Sequence, residues 1–273
     1  MNYVEAVVLG IVQGLTEFLP ISSTAHLRVV PQIFGWPDPG AAFTAVIQLG
    51  TMVAVLLFFW RDLVRIAVAW VKSLFTPSLR GGLDARLGWY IILGTIPIAV
   101  FGLVFKDQIE TGARDLRIIG WVLILFGVVL WFVDKAAAQT KDVEDLSLRD
   151  GLLFGLAQSL ALIPGVSRSG STITAGRALS YSREAAARFS FLLSIPAVVL
   201  SGLFEARKLG DAGGPEWGPT IVATVVAFVV GYAAIAWLLR WLANHSMLVF
   251  AVYRVVVGIL ILALVYTGVW ATA

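Results

Sequence analysis

The stretches QGLTEFLPISSTAHL (residues 13–27) and PGVSRSGSTITAG (residues 164–176) are two polar strings in a chain that is otherwise strongly apolar. Of its 273 residues, 59% are hydrophobic and 14% are charged, and the mean hydropathy is +0.89. Polar groups isolated among long apolar segments are costly, and ionised groups are costlier still. We therefore expect an integral membrane protein whose function is concentrated in these two strings.

Six segments are long and apolar enough to cross a hydrocarbon core of about 30 Å, which takes about 20 residues of helix. They are residues 41–59, 87–105, 117–133, 186–204, 219–242 and 247–270. Two further apolar stretches, 2–19 and 151–163, end at Pro20 and Pro164, because proline lacks an amide hydrogen and disfavours helix in the residue before it. A short helix after each break predicts a re-entrant hairpin, since irregular backbone at membrane depth must be enclosed by protein or water.

The two broken regions resemble each other in sequence. GIVQGLTEFLPISS (10–23) and GLAQSLALIPGVS (155–167) share Gly-x-x-Gln, an apolar run, a proline and a following serine. Three spans follow each copy, which would invert the second copy relative to the first, as in many transporters. We predict a single all-α polytopic membrane domain over residues 1–273, with six transmembrane helices and two re-entrant helical hairpins arranged as an inverted repeat of residues 1–133 and 150–273.

Basic residues indicate the orientation of the chain. Loops 60–86 and 134–150 contain five and three Lys or Arg residues, and the positive-inside rule places such loops in the cytoplasm. Both termini and the site would then face the outer, periplasmic side of the bacterial inner (plasma) membrane. The basic residues form no continuous stripe, so we expect no nucleic-acid partner. The absence of cysteine excludes disulfides, thiolate metal sites and cysteine nucleophiles.

The first string combines one carboxylate, one imidazole and several hydroxyls. Gln13 and Glu17 are four residues apart, so they lie on one helix face just before the break. Ser22 or Ser23 is placed to cap the next helix, and His26 follows one turn later. We expect these side chains to converge on one cavity. The polar residues of this string are Gln13, Glu17, Ser22, Ser23, Thr24 and His26.

The second string has the composition of an anion site. The start of a helix presents free backbone N–H groups and the positive end of the helix dipole, which favour phosphate. Arg168 can add bidentate, charge-assisted hydrogen bonds to phosphate oxygens. A phosphate-bearing ligand therefore fits this string best. Its glycines and polar residues include Gly165, Ser167, Arg168, Ser169, Ser171 and Thr172.

Structural roles compete with these functional ones. Serine and threonine hydroxyls often hydrogen-bond between transmembrane helices, and for any single hydroxyl this is the more common role. Glu17 and Arg168 could neutralise each other as a purely structural ion pair. Gln48 is a further candidate for lining the cavity.

Other basic residues are expected to lie outside the site. Arg254, in FAVYR near the expected cytoplasmic end of the last helix, would snorkel or form a structural pair. Arg177, Arg183 and Arg188 flank the second hairpin and would be interfacial anchors.

The two strings, in this order and at this distance, resemble the bacterial undecaprenyl-diphosphate phosphatase family, also known for bacitracin resistance. The matching motifs are (E/Q)xxxE at 13–17, LPISSTAH at 19–26 and PGVSRSGST at 164–172. FSFLLSIPA (189–197) and FAVYR (250–254) are supporting matches. The resemblance covers essentially the whole chain.

The resemblance implies hydrolysis of undecaprenyl diphosphate to undecaprenyl phosphate and inorganic phosphate, which recycles the lipid carrier for cell-wall synthesis. It implies a divalent cation, Mg²⁺ or Ca²⁺, as cofactor. Gln13 stands where some members of the family have a second Glu, and it would bind the cation with Glu17 through its carbonyl oxygen. The residues that match catalytic positions of the family are Glu17, Ser23, His26 and Arg168.

The remaining residues of both strings are expected to bind the substrate: Gln13, Ser22, Thr24, Gly165, Ser167, Ser169 and Thr172. The nucleophile stays open between Ser23 with His26 as its base, His26 itself, and an activated water. A second class of function is a polyprenyl-phosphate lipid transporter that uses the same midplane site. Membrane lipids are expected partners, and a homodimer is left open.

Overall fold

The structure of the chain is a computed structural model that describes residues 1–106, 108, 115–206 and 216–271, without the side chains of 41 and 201–206. Within these ranges the backbone is helical, and its β-structure is limited to one isolated bridge between Lys141 and Tyr181. The α-helices are α1 (Tyr3–Phe18), α2 (Ser23–Phe34), α3 (Gly40–Phe58), α4 (Trp60–Phe75), α5 (Leu83–Val104), α6 (Leu116–Ala136), α7 (Leu148–Ser159), α8 (Arg168–Ala178), α9 (Arg183–Ala206), α10 (Trp217–Leu242) and α11 (Leu248–Tyr266).

Four helices in the described ranges, α5, α6, α10 and α11, are long and apolar enough to cross a membrane. They correspond to four of the six predicted spans. Only 33–39% of the apolar window of each helix is buried, so most of this apolar surface faces outward. Such extensive exposed apolar surface is typical of contact with lipid. The chain is therefore a polytopic, all-helical membrane protein.

The other two predicted spans differ from the expectation. The segment 41–59 forms α3, which passes the same test only together with α4, and this pair is bent by 73°. The segment 186–204 lies in α9, which has charged residues in its first two turns and is not among the four helices: Arg183, Glu184 and Arg188. The predicted loop 60–86 is also wrong in part, because its apolar and basic residues alternate with a helical period and form α4.

Both predicted helix breaks are confirmed. Residues 19–22 separate α1 from α2, and residues 160–167 separate α7 from α8. The second helix of each pair begins at a serine cap, and these serines have positive φ angles of 77° at Ser22 and 69° at Ser167. Such angles are uncommon for serine and are concentrated at functional sites, where the surrounding structure holds them in place.

The broken helices pack closely against spanning helices at glycines. α1 lies against α10 and α7 lies against α5. A Cβ added at Gly10 would be 2.6 Å from the Ala223 carbonyl oxygen, and one at Gly155 would be 2.2 Å from the Gly94 carbonyl oxygen. Small residues permit this backbone approach, which is the usual way for membrane helices to pack.

A buried carboxylate joins the ends of four helices. Asp134 of α6 accepts hydrogen bonds from Arg177 Nε at 2.9 Å, from Arg183 Nε at 2.8 Å and from the Met247 amide at 3.0 Å. Arg177 is fully buried and also donates to the Tyr181 carbonyl at 2.5 Å. The expectation of interfacial anchoring is therefore wrong for Arg177, because its partner lies 43 residues away and no local pattern indicates it.

Candidate active site

The Glu17 carboxylate, on the last turn of α1, is the centre of the polar cluster. Glu17 is 8% exposed, and four side chains contact its two oxygens. Its Oε1 accepts hydrogen bonds from Gln48 Nε2 at 3.1 Å and from the Arg168 guanidinium. Its Oε2 accepts from Gln13 Nε2 at 3.1 Å and from Ser23 Oγ at 2.8 Å. The carboxylate is thus held by α1, α2, α3 and α8.

The ion pair between Glu17 and Arg168 joins the two polar strings, which are 151 residues apart in sequence. Arg168 is the first residue of α8, and the first amides of a helix have no carbonyl partner within it. The structure therefore brings together a carboxylate, a guanidinium, a hydroxyl and a helix N-terminus, as the sequence predicts. This combination of groups can bind an anionic oxygen and accept a proton from a nearby hydroxyl.

His26 has both ring nitrogens engaged. Its Nδ1 lies 2.7 Å from the Ser22 carbonyl oxygen and its Nε2 lies 2.7 Å from the Tyr253 hydroxyl. A carbonyl oxygen can only accept, so Nδ1 carries a proton, and when the ring is neutral Nε2 accepts from the Tyr253 hydroxyl. The Ser23 hydroxyl donates to Glu17, and no hydrogen bond joins it to His26 within the described ranges. In this arrangement Glu17 is the base nearest to Ser23.

Arg254 is part of this site, contrary to expectation. Its side chain is 1% exposed and lies between the two helix breaks. Nη1 donates to the Pro20 carbonyl at 3.1 Å and Nη2 donates to the Gly165 carbonyl at 3.0 Å. Pro20 and Gly165 each lie two residues before a serine cap, so one guanidinium binds equivalent points of both breaks. The expectation that Arg254 snorkels outside the site is wrong, because a guanidinium with two carbonyl partners can stay buried.

Hydroxyls of the second string hold the breaks in place. Ser167 Oγ is 3.1 Å from Ser169 Oγ, and Ser169 Oγ donates to the Leu19 carbonyl of the first break at 3.1 Å. Thr172 Oγ1 donates to the Arg168 carbonyl at 2.7 Å and lies 2.5 Å from Ser190 Oγ. The contacts to Leu19 and Ser190 join separate elements, as hydroxyls commonly do in membrane proteins, and the other two are local to the start of α8.

A sequence profile of the family described as "Bacitracin resistance protein BacA" matches residues 6–260 of the chain. The chain belongs to the BacA family. The family resemblance predicted from the two polar strings is thereby confirmed.

Individual BacA relatives match over almost their whole length. A Nocardioides protein named "Undecaprenyl-diphosphatase" is 57% identical over 272 residues, which cover 99% of each chain. "Undecaprenyl-diphosphatase 2" of Frankia casuarinae is 54% identical over 281 residues, covering 98% of this chain and 96% of its own. "Undecaprenyl-diphosphatase" of Thermobifida fusca is 54% identical over 272 residues, covering 98% and 92%.

The other predicted binding residues of this BacA family chain differ in their surroundings. Gln13 binds Glu17, and Ser22 caps α2 by accepting from the Ala25 amide at 3.4 Å. Thr24 is exposed and makes no hydrogen bond within the described ranges, so the structure does not bring it into the cluster.

Sequence reasoning missed Tyr253, and it left Gln48 as a candidate only. Gln48 contacts Glu17 directly, and Tyr253 contacts His26. A signal for Tyr253 was present in FAVYR, where a tyrosine precedes an arginine inside an otherwise apolar helix. Ionisable residues inside such helices are usually functional, and their neighbours on the helix are then candidates as well.

The oxygen donors of the cluster fit a cation that is only partly held by protein. Gln13 Oε1 is buried and has no hydrogen-bond partner, so it is available as a ligand beside the Glu17 carboxylate. Within the described ranges no group of three or more His, Cys, Asp or Glu side chains is arranged to hold a metal. One carboxylate with neutral oxygens suits Mg²⁺ bound largely by substrate phosphates and water.

Proposed function

We propose that this chain hydrolyses undecaprenyl diphosphate to undecaprenyl phosphate and inorganic phosphate at the Glu17 cluster. The observation that carries this proposal is the pairing of Glu17 with Arg168 where the two broken helices meet. Membership of the BacA family and the names of the three relatives supply the reaction. In a bacterial inner membrane this reaction recycles the lipid carrier for cell-wall synthesis.

Arg168 and the start of α8 would bind the diphosphate. A guanidinium and a helix N-terminus both favour phosphate oxygens, and here they belong to the same residue and the helix it begins. Without substrate, Arg168 is neutralised by Glu17. An arriving diphosphate competes with Glu17 for the guanidinium and releases one carboxylate oxygen. Binding of the substrate thereby frees Glu17 to accept a proton.

Ser23 is the nucleophile that the geometry favours, with Glu17 as its base. The Ser23 hydroxyl already donates to Glu17 Oε2 at 2.8 Å. In the proposed step Ser23 Oγ attacks the terminal phosphorus, its proton passes to Glu17, and the bond to the bridging oxygen breaks to release undecaprenyl phosphate. A water molecule then attacks the phosphoserine phosphorus, the bond to Ser23 Oγ breaks, the proton on Glu17 returns to Ser23, and inorganic phosphate is released.

Glu17 and Gln13 would hold the divalent cation, Mg²⁺ or Ca²⁺, through one carboxylate oxygen and the unpartnered Gln13 Oε1. When bound, such a cation neutralises negative charge on the phosphate oxygens. The residues themselves orient the site without it: Gln48 and Gln13 both donate to Glu17 and fix the direction of its oxygens.

The inverted repeat and its two re-entrant hairpins remain part of the proposal. In support, α1 packs against α10 as α7 packs against α5, while α3 packs against α9 and α6 against α11. In a duplicated unit α1 corresponds to α7 and α10 to α5, so the contact of α1 with α10 has its equivalent in the contact of α7 with α5. The α3–α9 and α6–α11 contacts each join two corresponding helices. The positive-φ caps Ser22 and Ser167 add a second equivalence. With loops 60–86 and 134–150 in the cytoplasm, the site would open toward the outer side of the membrane.

The first experiment is phosphate release from undecaprenyl diphosphate by the purified protein in detergent, with and without EDTA. Glu17→Ala, Ser23→Ala and Arg168→Gln are compared with wild type. Arg149→Gln, which changes an exposed arginine, is the control for the loss of one positive charge. Metal-dependent release that the three site variants abolish and Arg149→Gln retains is the expected result.

Absence of phosphate release by the wild type with every divalent cation tested would overturn the proposed function. The transporter alternative requires phosphate binding but no nucleophile, and none of the three relatives carries a transporter name. Lipid movement in vesicles that survives Ser23→Ala and is lost in Glu17→Ala, without phosphate release, would restore that alternative.

A further inference from the structure

Helix α4 turns sharply away from α3. Phe59 alone separates the two helices, whose axes differ by 73°, and Phe59 is 2% exposed. A buried hinge residue holds this angle. Helix α3 contacts the polar cluster through Gln48 and continues from there to Phe59. With α3 crossing the membrane, the 73° bend at Phe59 directs α4 close to the membrane plane.

One face of α4 packs against the protein. Ile66 is 5% exposed and Ser73 is 1% exposed, and Trp70 lies so close to α5 that a Cβ on Gly88 would be 2.8 Å from the Trp70 Cβ. Trp70 also forms an edge contact with Trp89, with ring centroids 5.5 Å apart. This face fixes the rotation of the helix about its axis.

A second face of α4 is apolar and exposed. At about 100° per residue its members fall on one continuous side of the helix. Exposed apolar side chains of this size are normally in contact with lipid or with another protein surface. The other exposed apolar surface of this membrane protein faces lipid. The members are Trp60 (52% exposed), Val64 (54%), Val68 (46%), Val71 (46%), Leu74 (40%) and Phe75 (82%).

A basic row follows directly beside the apolar face. Arg61, Arg65 and Lys72 project within a strip about 40° wide, and all three are exposed. Arg65 pairs with Asp62 and Asp84. Arg61 lies over the Trp60 ring, and Lys72 has no acidic partner within the described ranges.

The acidic residues near the basic row are already neutralised. Asp62 is bound by Arg188 at 2.5 Å as well as by Arg65, and Asp84 is bound by Arg65. Arg188, which was expected to be an interfacial anchor, is therefore bound by the Asp62 side chain of α4. The row therefore presents uncompensated positive charge at Arg61 and Lys72, next to a face that is apolar.

We propose that α4 lies in the membrane interface and binds anionic phospholipid headgroups through Arg61 and Lys72, with its apolar face among the acyl chains. An apolar face next to a basic row is the signature of interfacial helices that bind anionic lipids. The positive row selects anionic phospholipids over zwitterionic ones. This role uses no residue of the Glu17 cluster and does not depend on the phosphatase activity.

Because the chain has no cysteine, single spin labels can measure the depth of α4 in vesicles that contain phosphatidylglycerol. Labels at Val64→Cys and Val71→Cys are compared with Val256→Cys on the apolar outer face of α11 and with exposed Glu144→Cys. We expect labels 64 and 71 to be accessible to oxygen and shielded from a water-soluble nickel chelate, as at 256. Accessibility to the chelate as at 144, or shielding from both by a second copy, would overturn the proposal.

Lipid selectivity is tested by measuring phosphatidylglycerol bound to the folded protein by native mass spectrometry. Removing both charges with Arg61→Gln and Lys72→Gln is expected to weaken binding roughly 25-fold, at about fivefold per charge. The control exchanges the same residues with their charges kept, Arg61→Lys and Lys72→Arg, and is expected to bind as wild type. Equal retention by the neutralised and the charge-conserving variants would contradict a headgroup site at α4.

Discussion

The Tyr253 hydroxyl lies 2.7 Å from Nε2 of His26, and the two rings are nearly parallel, 9° apart with centroids at 5.5 Å. The Ser22 carbonyl places a proton on Nδ1, and the Tyr253 hydroxyl engages the other ring nitrogen and holds the ring in this orientation. Tyr253 is 41% exposed whereas His26 is 8% exposed, so Tyr253 lies between the histidine and the surface of the protein. Tyr253 thereby acts as a positioning residue for His26.

Replacing Tyr253 with Phe is expected to remove the hydrogen bond to Nε2, while the Ser22 carbonyl keeps the proton on Nδ1. Loss of one hydrogen bond corresponds to about 1 kcal/mol, so we expect roughly a fivefold fall in phosphate release. Nitrogen-15 NMR reports the hydrogen bond at Nε2 directly, and the signals can be assigned because the chain contains only two histidines, His26 and His245. Unchanged ring signals of His26 in Tyr253→Phe would contradict this role, and unchanged signals of His245 serve as the control.

The identity of the nucleophile is predicted from the Ser23 contact with Glu17. Stopping the reaction with denaturant is expected to trap a phosphoenzyme that is stable in acid, because phosphoserine survives acid and phosphohistidine does not. Ser23→Ala should yield none of it and should lower activity at least about 10²-fold. An acid-labile adduct that persists in Ser23→Ala and disappears in His26→Ala would assign the attack to the histidine.

Local sequence patterns predicted the parts of the site that depend on local chemistry. Proline disfavours helix in the residue before it, and Pro20 and Pro164 are each followed by serines and other polar residues, so these two breaks were predictable. Pro31, Pro97 and Pro196, which lie inside helices, show that proline alone does not end a helix. Glu17 and Arg168 were recognisable because ionisable residues beside apolar runs are rare and usually functional. Their pairing followed from placing both breaks inside one membrane protein.

The long-range contacts were not predictable from local patterns. Arg254 donates to carbonyls that lie 234 and 89 residues away in sequence. The sequence around an arginine in an apolar helix does not indicate whether its side chain snorkels or binds backbone carbonyls. The ion pair between Asp134 and Arg177 depends likewise on tertiary packing. Helix α4 was missed because the charged residues from Arg61 onward end the apolar run, so residues 60–86 were interpreted as a loop.

Removing the Arg254 guanidinium is expected to loosen both helix breaks at once. Arg254→Leu leaves the Pro20 and Gly165 carbonyls without their partner, at about 1–3 kcal/mol for each buried group. Thermal unfolding in detergent should shift downward, and phosphate release should fall even at temperatures where the variant is folded. Arg240→Leu, at an exposed arginine near the end of α10, is the control. Equal stability of the two variants would show that Arg254 does not hold the breaks together.

Close packing of α7 against α5 predicts a strong effect of one methyl group. In Gly155→Ala the new Cβ would meet the Gly94 carbonyl oxygen at 2.2 Å, and backbone rather than a flexible side chain would have to move. Overpacking of this kind costs typically about 1–3 kcal/mol, so the midpoint of thermal unfolding should fall. Gly81→Ala is the matched control, since no atom lies within 4 Å of its added Cβ. A Gly155→Ala protein as stable as Gly81→Ala would mean that α5 and α7 do not approach this closely in the membrane.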